Sequence, residues 1–248
     1  MIMAKNFIGT SGWSYDHWIG MFYPEDLGKD RWLEFYTESF DSVELNASFY
    51  RLPRKKTFQN WRRRTPPEFI FSVKMSRYVT HVKRLLNPED SLRMFFDSVS
   101  GLGDKCSTIL IQLPPGMRFD LERVDSFLKG LTDRYRSYRF TLECRNKSWF
   151  NDEVYNLFRK YGIALCISDT PCYPYTEVVT SDFVYVRLHG HEQLYASNYS
   201  DQQLEEWADK IRKWNEKGMD VYVYFDNDAN AYAVKNALKL KELLGYST

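Results

Sequence analysis

The sequence predicts an α/β chain folded as a single-domain (β/α)8 barrel over residues 1–248. Three observations predict it. Eight short apolar runs recur along the chain, amphipathic stretches separate them, and 248 residues with 44% hydrophobic side chains suit one domain of this kind.

The apolar runs are Phe7–Trp13, Ser42–Asn46, Phe69–Ser76, Thr108–Leu113, Arg139–Arg145, Ile163–Asp169, Phe183–His189 and Asp220–Asp226. They are rich in Val, Ile, Phe and Tyr and continuous enough for parallel strands buried on both faces. Helical spacing links Leu92, Phe95, Phe96 and Val99. It also links Val124, Phe127, Leu128 and Leu131; Val154, Leu157, Phe158 and Tyr161; and Leu204, Trp207, Ile211 and Trp214. Asn87-Pro88-Glu89 reads as a helix start, with Asn87 as the cap, and Gly101, Gly162, Gly218 and Gly245 follow helices. Strands joined by helices close most economically into a TIM-like barrel. An open doubly wound sheet is the alternative, but no G-x-G-x-x-G follows the first strand. Thr170 to Asp182 is near the lower limit for a parallel crossover, so its helix is expected to be short or absent.

The start of the chain has no apolar stretch or cleavage site of a signal peptide, and no apolar run is long enough to cross a membrane. A soluble, cytoplasmic protein without a membrane partner is expected. The four cysteines form no C-x-x-C pair, and Cys144 and Cys166 fall in strands, where a thiol serves as a small apolar filler.

Side chains alternate along a strand, and active sites of such barrels lie at the C-terminal strand ends. In the seventh run Val184, Val186 and Leu188 should face helices, and Arg187 and His189 should point inward. The same reasoning brings Glu44 with Asn46, Ser72 with Lys74, Gln112, Glu143 with Arg145, Asp169, and Tyr224 with Asp226 to one mouth. Glu44, Glu143, His189 and Lys74 are the candidate catalytic groups. Asn46, Gln112, Arg145, Asp169, Arg187 and Asp226 are candidates for holding substrate. Four carboxylates against three cations and a histidine could also be a structural ion network, the plainer alternative. Loop aromatics include Trp13, Tyr15, Trp18, Phe49, Tyr50, Tyr78, Trp149 and Phe150, of which Trp13, Tyr50 and Trp149 are taken as substrate contacts.

Charge is uneven. Arg51 to Arg84 holds eleven Lys/Arg and one acid, about +10 in a chain of net +1. Such a patch suits a polyanion, with Arg77 near the mouth; Arg62–Arg64 reads better as a solvated helix face balanced by acids in space.

Gly9-Thr10-Ser11-Gly12-Trp13-Ser14-Tyr15 with Trp18, Glu44-Leu45-Asn46-Ala47-Ser48-Phe49-Tyr50, and Phe71 to Arg77 with Thr80-His81 together resemble the DUF72 (YecE-like) family. Gln112-Leu113-Pro114-Pro115, Glu143-Cys144-Arg145 with Ser148-Trp149, Asp169, Val186 to Gly190 and the stretch from Tyr224 to Ala237 extend the resemblance to nearly the whole chain. It implies a TIM-barrel fold and adds no reaction. It also implies His81 and Asn227 as substrate contacts. Where the family tends to carry paired asparagines after the last strand, this chain has Asp226-Asn227.

Three functions compete. The first is an enzyme acting on a phosphate-bearing substrate, such as a nucleotide or nucleic acid, by acid/base hydrolysis. Lys74, Arg145 and Arg187 would hold the anion, Glu143 or Glu44 would be the base and His189 the acid. The second is a glycoside-active enzyme with Glu44 and Glu143 paired; three cations argue against a neutral glycan. The third is a non-catalytic nucleic-acid binder using Arg51–Arg84. Cofactors are not identified. A divalent metal would fall to His189, Glu143, Glu44 and Asp169, but no ligand-spacing motif favours one. The first reading is preferred, with an anionic small molecule or nucleic acid as the partner.

Overall fold

A computed structural model describes residues 4–246. Its strands are β1 (Asn6–Thr10), β2 (Ser42–Leu45), β3 (Ile70–Lys74), β4 (Cys106–Gln112), β5 (Arg139–Glu143), β6 (Ala164–Leu165), β7 (Ile167–Asp169), β8 (Phe183–Leu188) and β9 (Asp220–Phe225). Its helices are α1 (Trp32–Ser39), α2 (Ala47–Tyr50), α3 (Lys55–Arg63), α4 (Glu89–Val99), α5 (Leu121–Tyr135), α6 (Asp152–Tyr161), α7 (Asp201–Glu216) and α8 (Tyr232–Leu243). All strand pairings are parallel and form two sheets, ordered β1-β9-β8-β7 and β2-β3-β4-β5-β6. A parallel bridge between Ser11 and Glu44 links β1 to β2, and the arrangement is barrel-like.

Strand alternation builds two apolar layers. Ile8, Val43, Val73, Ile109, Leu142, Val186 and Val223 face outward and pack with the helices in one large cluster. Leu110, Ala164, Cys166, Phe183, Tyr185, Tyr222 and Tyr224 face inward as a second cluster. The inner layer is rich in tyrosine, and its hydroxyls find partners: Tyr224 accepts from Ser72 at 2.8 Å and Tyr222 meets Ser107 at 2.7 Å. That satisfaction is what permits phenols in an apolar interior. Cys144 and Cys166 are buried free thiols, and burial raises both pKa values, so they stay protonated filler.

Several local signals have a direct structural outcome. Asn151 caps α6 by accepting from the Val154 amide at 3.1 Å, and Gly162 ends that helix at φ 65°. Ser200 and Gln203 form a capping box on α7. Gly9 has a different cause: a Cβ there would lie 2.2 Å from the Ser42 carbonyl oxygen, so β1 and β2 approach too closely for any side chain.

The helix start at Asn87-Pro88 differs from the expectation. Asn87 adopts φ 43° and caps nothing; Pro88 takes the N-cap position and offers no side-chain acceptor. The crossover from Thr170 to Asp182 contains no helix. It is a strap, pinned where Thr180 Oγ1 accepts from the Leu165 amide at 2.8 Å and donates to the Ile163 carbonyl at 2.7 Å. Among the described residues no helix is long and apolar enough to cross a membrane.

Candidate functional site

Arg187 is the hub of the strand ends. It lies on β8 with inward parity, beside Tyr185 and opposite the outward Val186 and Leu188, and it has no solvent exposure. Its guanidinium reaches residues on β2 and β5 and residues just past the ends of β1 and β9. Nη2 donates to Glu44 Oε1 at 2.7 Å, to Ser11 Oγ at 3.0 Å and to Asp226 Oδ2 at 3.0 Å. Nε donates to Glu44 Oε2 at 3.0 Å, and Nη1 donates to Glu143 Oε2 at 2.6 Å. A guanidinium offers five N–H donors in one plane, which is why a single arginine can organise three carboxylates.

The carboxylates are held accordingly. Glu44 also accepts from Tyr185 at 2.7 Å and from Ser11, so both its oxygens are occupied without exposure. Glu143 accepts from Arg145 Nε at 2.6 Å. Burial alone would raise the Glu143 pKa; Arg145 and Arg187 outweigh it and hold the group well below the usual carboxylate range. Burial likewise opposes ionisation of Asp226, but Arg187, His189 and Lys74 bring it down to about 2. His189 Nδ1 stands 2.9 Å from Asp226 Oδ2.

A second wall follows β3. Lys74 is buried with its ammonium 4.5 Å from the Phe49 ring centroid, and among the described residues no carboxylate oxygen lies within 4.0 Å. Burial, reinforced by Arg187, lowers its pKa to about 8 against the opposing pull of Glu143, Glu44 and Asp226. Beyond it the chain makes a π-helical turn, Tyr78–Val82, which carries His81 against the edge of Phe49 at 5.0 Å. Burial and then the charges of Arg77, Lys74, Arg145 and Arg84 depress His81 to about 4, so it is neutral at pH 7.

Lys74 from this wall and Asp226 from the hub meet at an open cleft of about 780 Å3, lined also by Tyr15, Asn46, Tyr50 and Tyr195. On its far rim Asp228 accepts from Trp18 Nε1 at 2.7 Å and faces His17 at 2.9 Å; burial lifts its pKa to about 6. A smaller pocket of about 400 Å3 shares Tyr15 and Asn46 with the cleft and adds Trp13, whose ring meets Trp61 edge-on at 5.3 Å.

The residues singled out from the sequence therefore divide. Asn46, Tyr50, Lys74 and Asp226 line the cleft, His189 stands directly behind Asp226, and Trp13 lines the adjoining pocket. Gln112 lies in register with Glu143, while Arg145 stacks over Tyr173 at 4.6 Å. Arg77 is exposed beside His81. Glu44, Glu143 and Arg187 lie beneath the cleft, locked to one another, so Arg187 is a keystone of the network and no hand for an anion.

Three positions are corrected outright. Trp149 is wholly buried, its indole N–H donating to the Met117 carbonyl at 2.8 Å against Phe119, so it touches no opening. Asn227 points to the outer side, donating to Asn236 at 2.8 Å and to the Ser197 carbonyl at 3.0 Å. Asp169 has outward parity, because Ala164 and Cys166 face inward, and it meets His191 at 3.1 Å in a separate pocket beside α7. His189, Glu143, Glu44 and Asp169 thus do not gather around one point as a metal would require.

Some contributors escaped the sequence reading. Ser11 bonds Glu44, Arg187 and Asn46, and Tyr185 bonds Glu44. Tyr195 stands edge-on to His189 at 5.4 Å. Strand parity carried the signal for the first two, since Phe7, Gly9 and Ser11 share a face, as do Tyr185 and Arg187. Tyr195 lies in an irregular loop with φ 63° and had no pattern to reveal it. The basic run Arg62–Arg64 is balanced in space: Arg62 pairs with Asp104 at 2.8 Å and Arg64 with Glu34 at 2.7 Å.

The family model described as a protein of unknown function, DUF72, matches residues 7–248. The chain is 28% identical to the UPF0759 protein YunF of Bacillus subtilis, over 96% of this chain and 94% of that one. It is 23% identical to the UPF0759 protein YecE of Escherichia coli K12, over 85% and 82%. Among solved structures, a DUF72 family protein from Thermotoga maritima superposes with a TM-score of 0.87 at 30% identity, covering 97% of this chain and 99% of that one. One from Enterococcus faecalis gives 0.84 at 19% identity, covering 98% and 96%, a likeness of fold.

Proposed function

For a chain that belongs to the DUF72 family, we propose an enzyme that works in the cleft at the C-terminal strand ends, on an anionic, phosphate-bearing substrate such as a nucleotide. One observation carries the reading. Lys74, Arg77 and Arg84 all act on His81, and none of the three has a carboxylate within 4.0 Å among the described residues. Every carboxylate of the hub is already matched to Arg187 or Arg145, so the positive charge of this wall is left for a ligand. An anion placed there would gain charge-assisted hydrogen bonds from the exposed Arg77 and Arg84 beside the buried Lys74.

Acid/base work falls to His189, whose Nδ1 stands 2.9 Å from Asp226 Oδ2; Asp226, itself bound to Arg187 and held down to a pKa of about 2, fixes the ring. Glu44 and Glu143 would serve poorly, since their oxygens are bound to Arg187, and this also weakens the glycosidase reading that needed them free. The pairing of Arg62 and Arg64 with acids on the surface weakens the reading as a plain nucleic-acid binder. The two sheets, on this proposal, close as one (β/α)8 barrel. The Ser11–Glu44 bridge supports one seam, and the unbroken segment 164–169 supports the other, since Cys166 N donates to the Leu142 carbonyl at 2.9 Å.

Calorimetric titration with inorganic phosphate, nucleoside monophosphates and short DNA and RNA oligomers over a salt series tests the reading. Arg77→Ala should weaken phosphate or nucleotide binding about tenfold, the loss of one charge-assisted contact, and Arg62→Ala should not. No binding of any of these ligands at low salt overturns it. Binding confined to oligomers and abolished by Arg62→Ala moves the site to the surface.

A further inference from the structure

Among the described residues three lysines are buried: Lys74, Lys105 and Lys241. Two are satisfied. Lys105 Nζ donates to the carbonyls of Arg62, Thr65 and Pro66 and to Thr65 Oγ1, at 2.6–2.9 Å, and Lys241 Nζ donates to the Ser39 carbonyl at 2.7 Å. Lys74 Nζ has no such acceptor among the described residues. It rests against the Phe49 ring and opens into the cleft. A buried amine without a partner gains little from its proton, and a desolvated amine is the form that attacks carbon.

We propose that Lys74 is a nucleophile that captures an anionic aldehyde or ketone as an imine. The proposal rests on the anionic reading of the cleft: the phosphate is the handle, held by Arg77 and Arg84, and the carbonyl is the reacting centre, met by the uncharged Lys74.

The groups needed line the same cleft. The Nζ lone pair forms the bond to the carbonyl carbon, and the carbonyl π pair moves to oxygen. The proton shed by the nitrogen passes to that oxygen through solvent in the open cleft, giving a neutral carbinolamine. Its hydroxyl takes a second proton from solvent and leaves as water, and the nitrogen lone pair closes the C=N bond. Amine, carbonyl and one proton become protonated imine and water, with no oxidant or reductant, and the Asp226 carboxylate across the cleft faces the new positive charge. Tyr195, whose pKa is raised by burial, stays an O–H donor to the departing oxygen. The protonated imine then draws electrons from the adjacent carbon, so the reaction class is proton transfer or carbon–carbon bond change beside a carbonyl.

The test is reductive trapping. The whole protein is incubated with cyanoborohydride and either glycolaldehyde phosphate or neutral glycolaldehyde, and labelled peptides are mapped by mass spectrometry. At pH 7.5 an amine with a pKa of about 8 carries roughly 200-fold more free base than an ordinary lysine. The expected result is label on Lys74 at least tenfold above any other lysine, faster with the phosphate probe, and absent in Lys74→Arg, whose melting temperature and phosphate affinity report whether the site is intact. Equal labelling by the two probes keeps the imine and overturns the anionic substrate. No preference for Lys74 with either probe, while wild-type protein still binds inorganic phosphate, overturns the imine and leaves the anionic cleft standing. Loss of both labelling and phosphate binding overturns both.

Discussion

Arg187 and Glu44 form a two-pronged ion pair with no solvent exposure, Nη2 to Oε1 at 2.7 Å and Nε to Oε2 at 3.0 Å. The two residues are 143 positions apart in sequence. Such a pair balances a large desolvation cost only through its geometry, and removing one partner leaves the other charge buried and alone. Arg187→Ala should therefore cost about 3–5 kcal/mol of stability. Urea denaturation of the variant checks this. A loss under about 1 kcal/mol would mean that water or neighbouring side chains replace the guanidinium.

The acid limb of stability should be set in part by Asp226. Its folded pKa, about 2, lies below the unfolded value near 3.9. The stabilisation is thus fully present above about pH 4 and is lost as pH falls through 2. It amounts to roughly 2.5 kcal/mol. Asp226→Asn should flatten the pH dependence of unfolding between pH 4 and 2, read as urea midpoints across that range. An unchanged slope would assign the acid limb to Glu143.

Lys74 should show the opposite trade. Its pKa is depressed, so the folded state disfavours the ammonium. The destabilisation is complete below about pH 8 and vanishes above the unfolded value near 10.4. Lys74→Met should stabilise the protein at pH 7 by up to about 3 kcal/mol, with the gain shrinking between pH 8 and 10. The same variant should lose anion affinity. A destabilised Lys74→Met would show that the ammonium is solvated through the cleft.

Two glycines should respond in opposite directions to alanine. Gly9→Ala places a methyl group against the Ser42 carbonyl and should cost at least about 1–3 kcal/mol. Gly130 lies exposed within α5 with nothing near its missing Cβ, so Gly130→Ala should gain about 0.5–1 kcal/mol. Thermal melts of the two variants suffice; matching signs would break the argument.

The strands were legible because burial on both faces leaves a run of apolar residues that no helix or loop imitates over so short a span. Each of the eight apolar runs overlaps a strand, the sixth as two short pieces broken at Cys166. Inward and outward faces followed from alternation alone, which places Arg187 beside Glu44 and Val186 among the helices. Asp169 was misplaced because its position at a strand end was weighed above its parity, which opposes that of Cys166. Trp149 and Trp13 show a different limit. Both are loop tryptophans, one sealed in the core and one at a pocket, and only the path of the loop decides between them. The pairing of charges was out of reach, since nothing local links Glu143 to a residue 44 positions on.

Arg187 also binds together the history of the chain as it folds. Its partners lie near the first strand, on the second and fifth, and just after the last, with sequence separations from 39 to 176 residues. The entropy of closing such long loops is lost before any of these contacts forms. The hub can be complete only when both ends of the chain have arrived. A nascent chain that stops short of β9 has its arginine and two glutamates but not its aspartate, and it leaves the hub unfinished at the place where chemistry would occur.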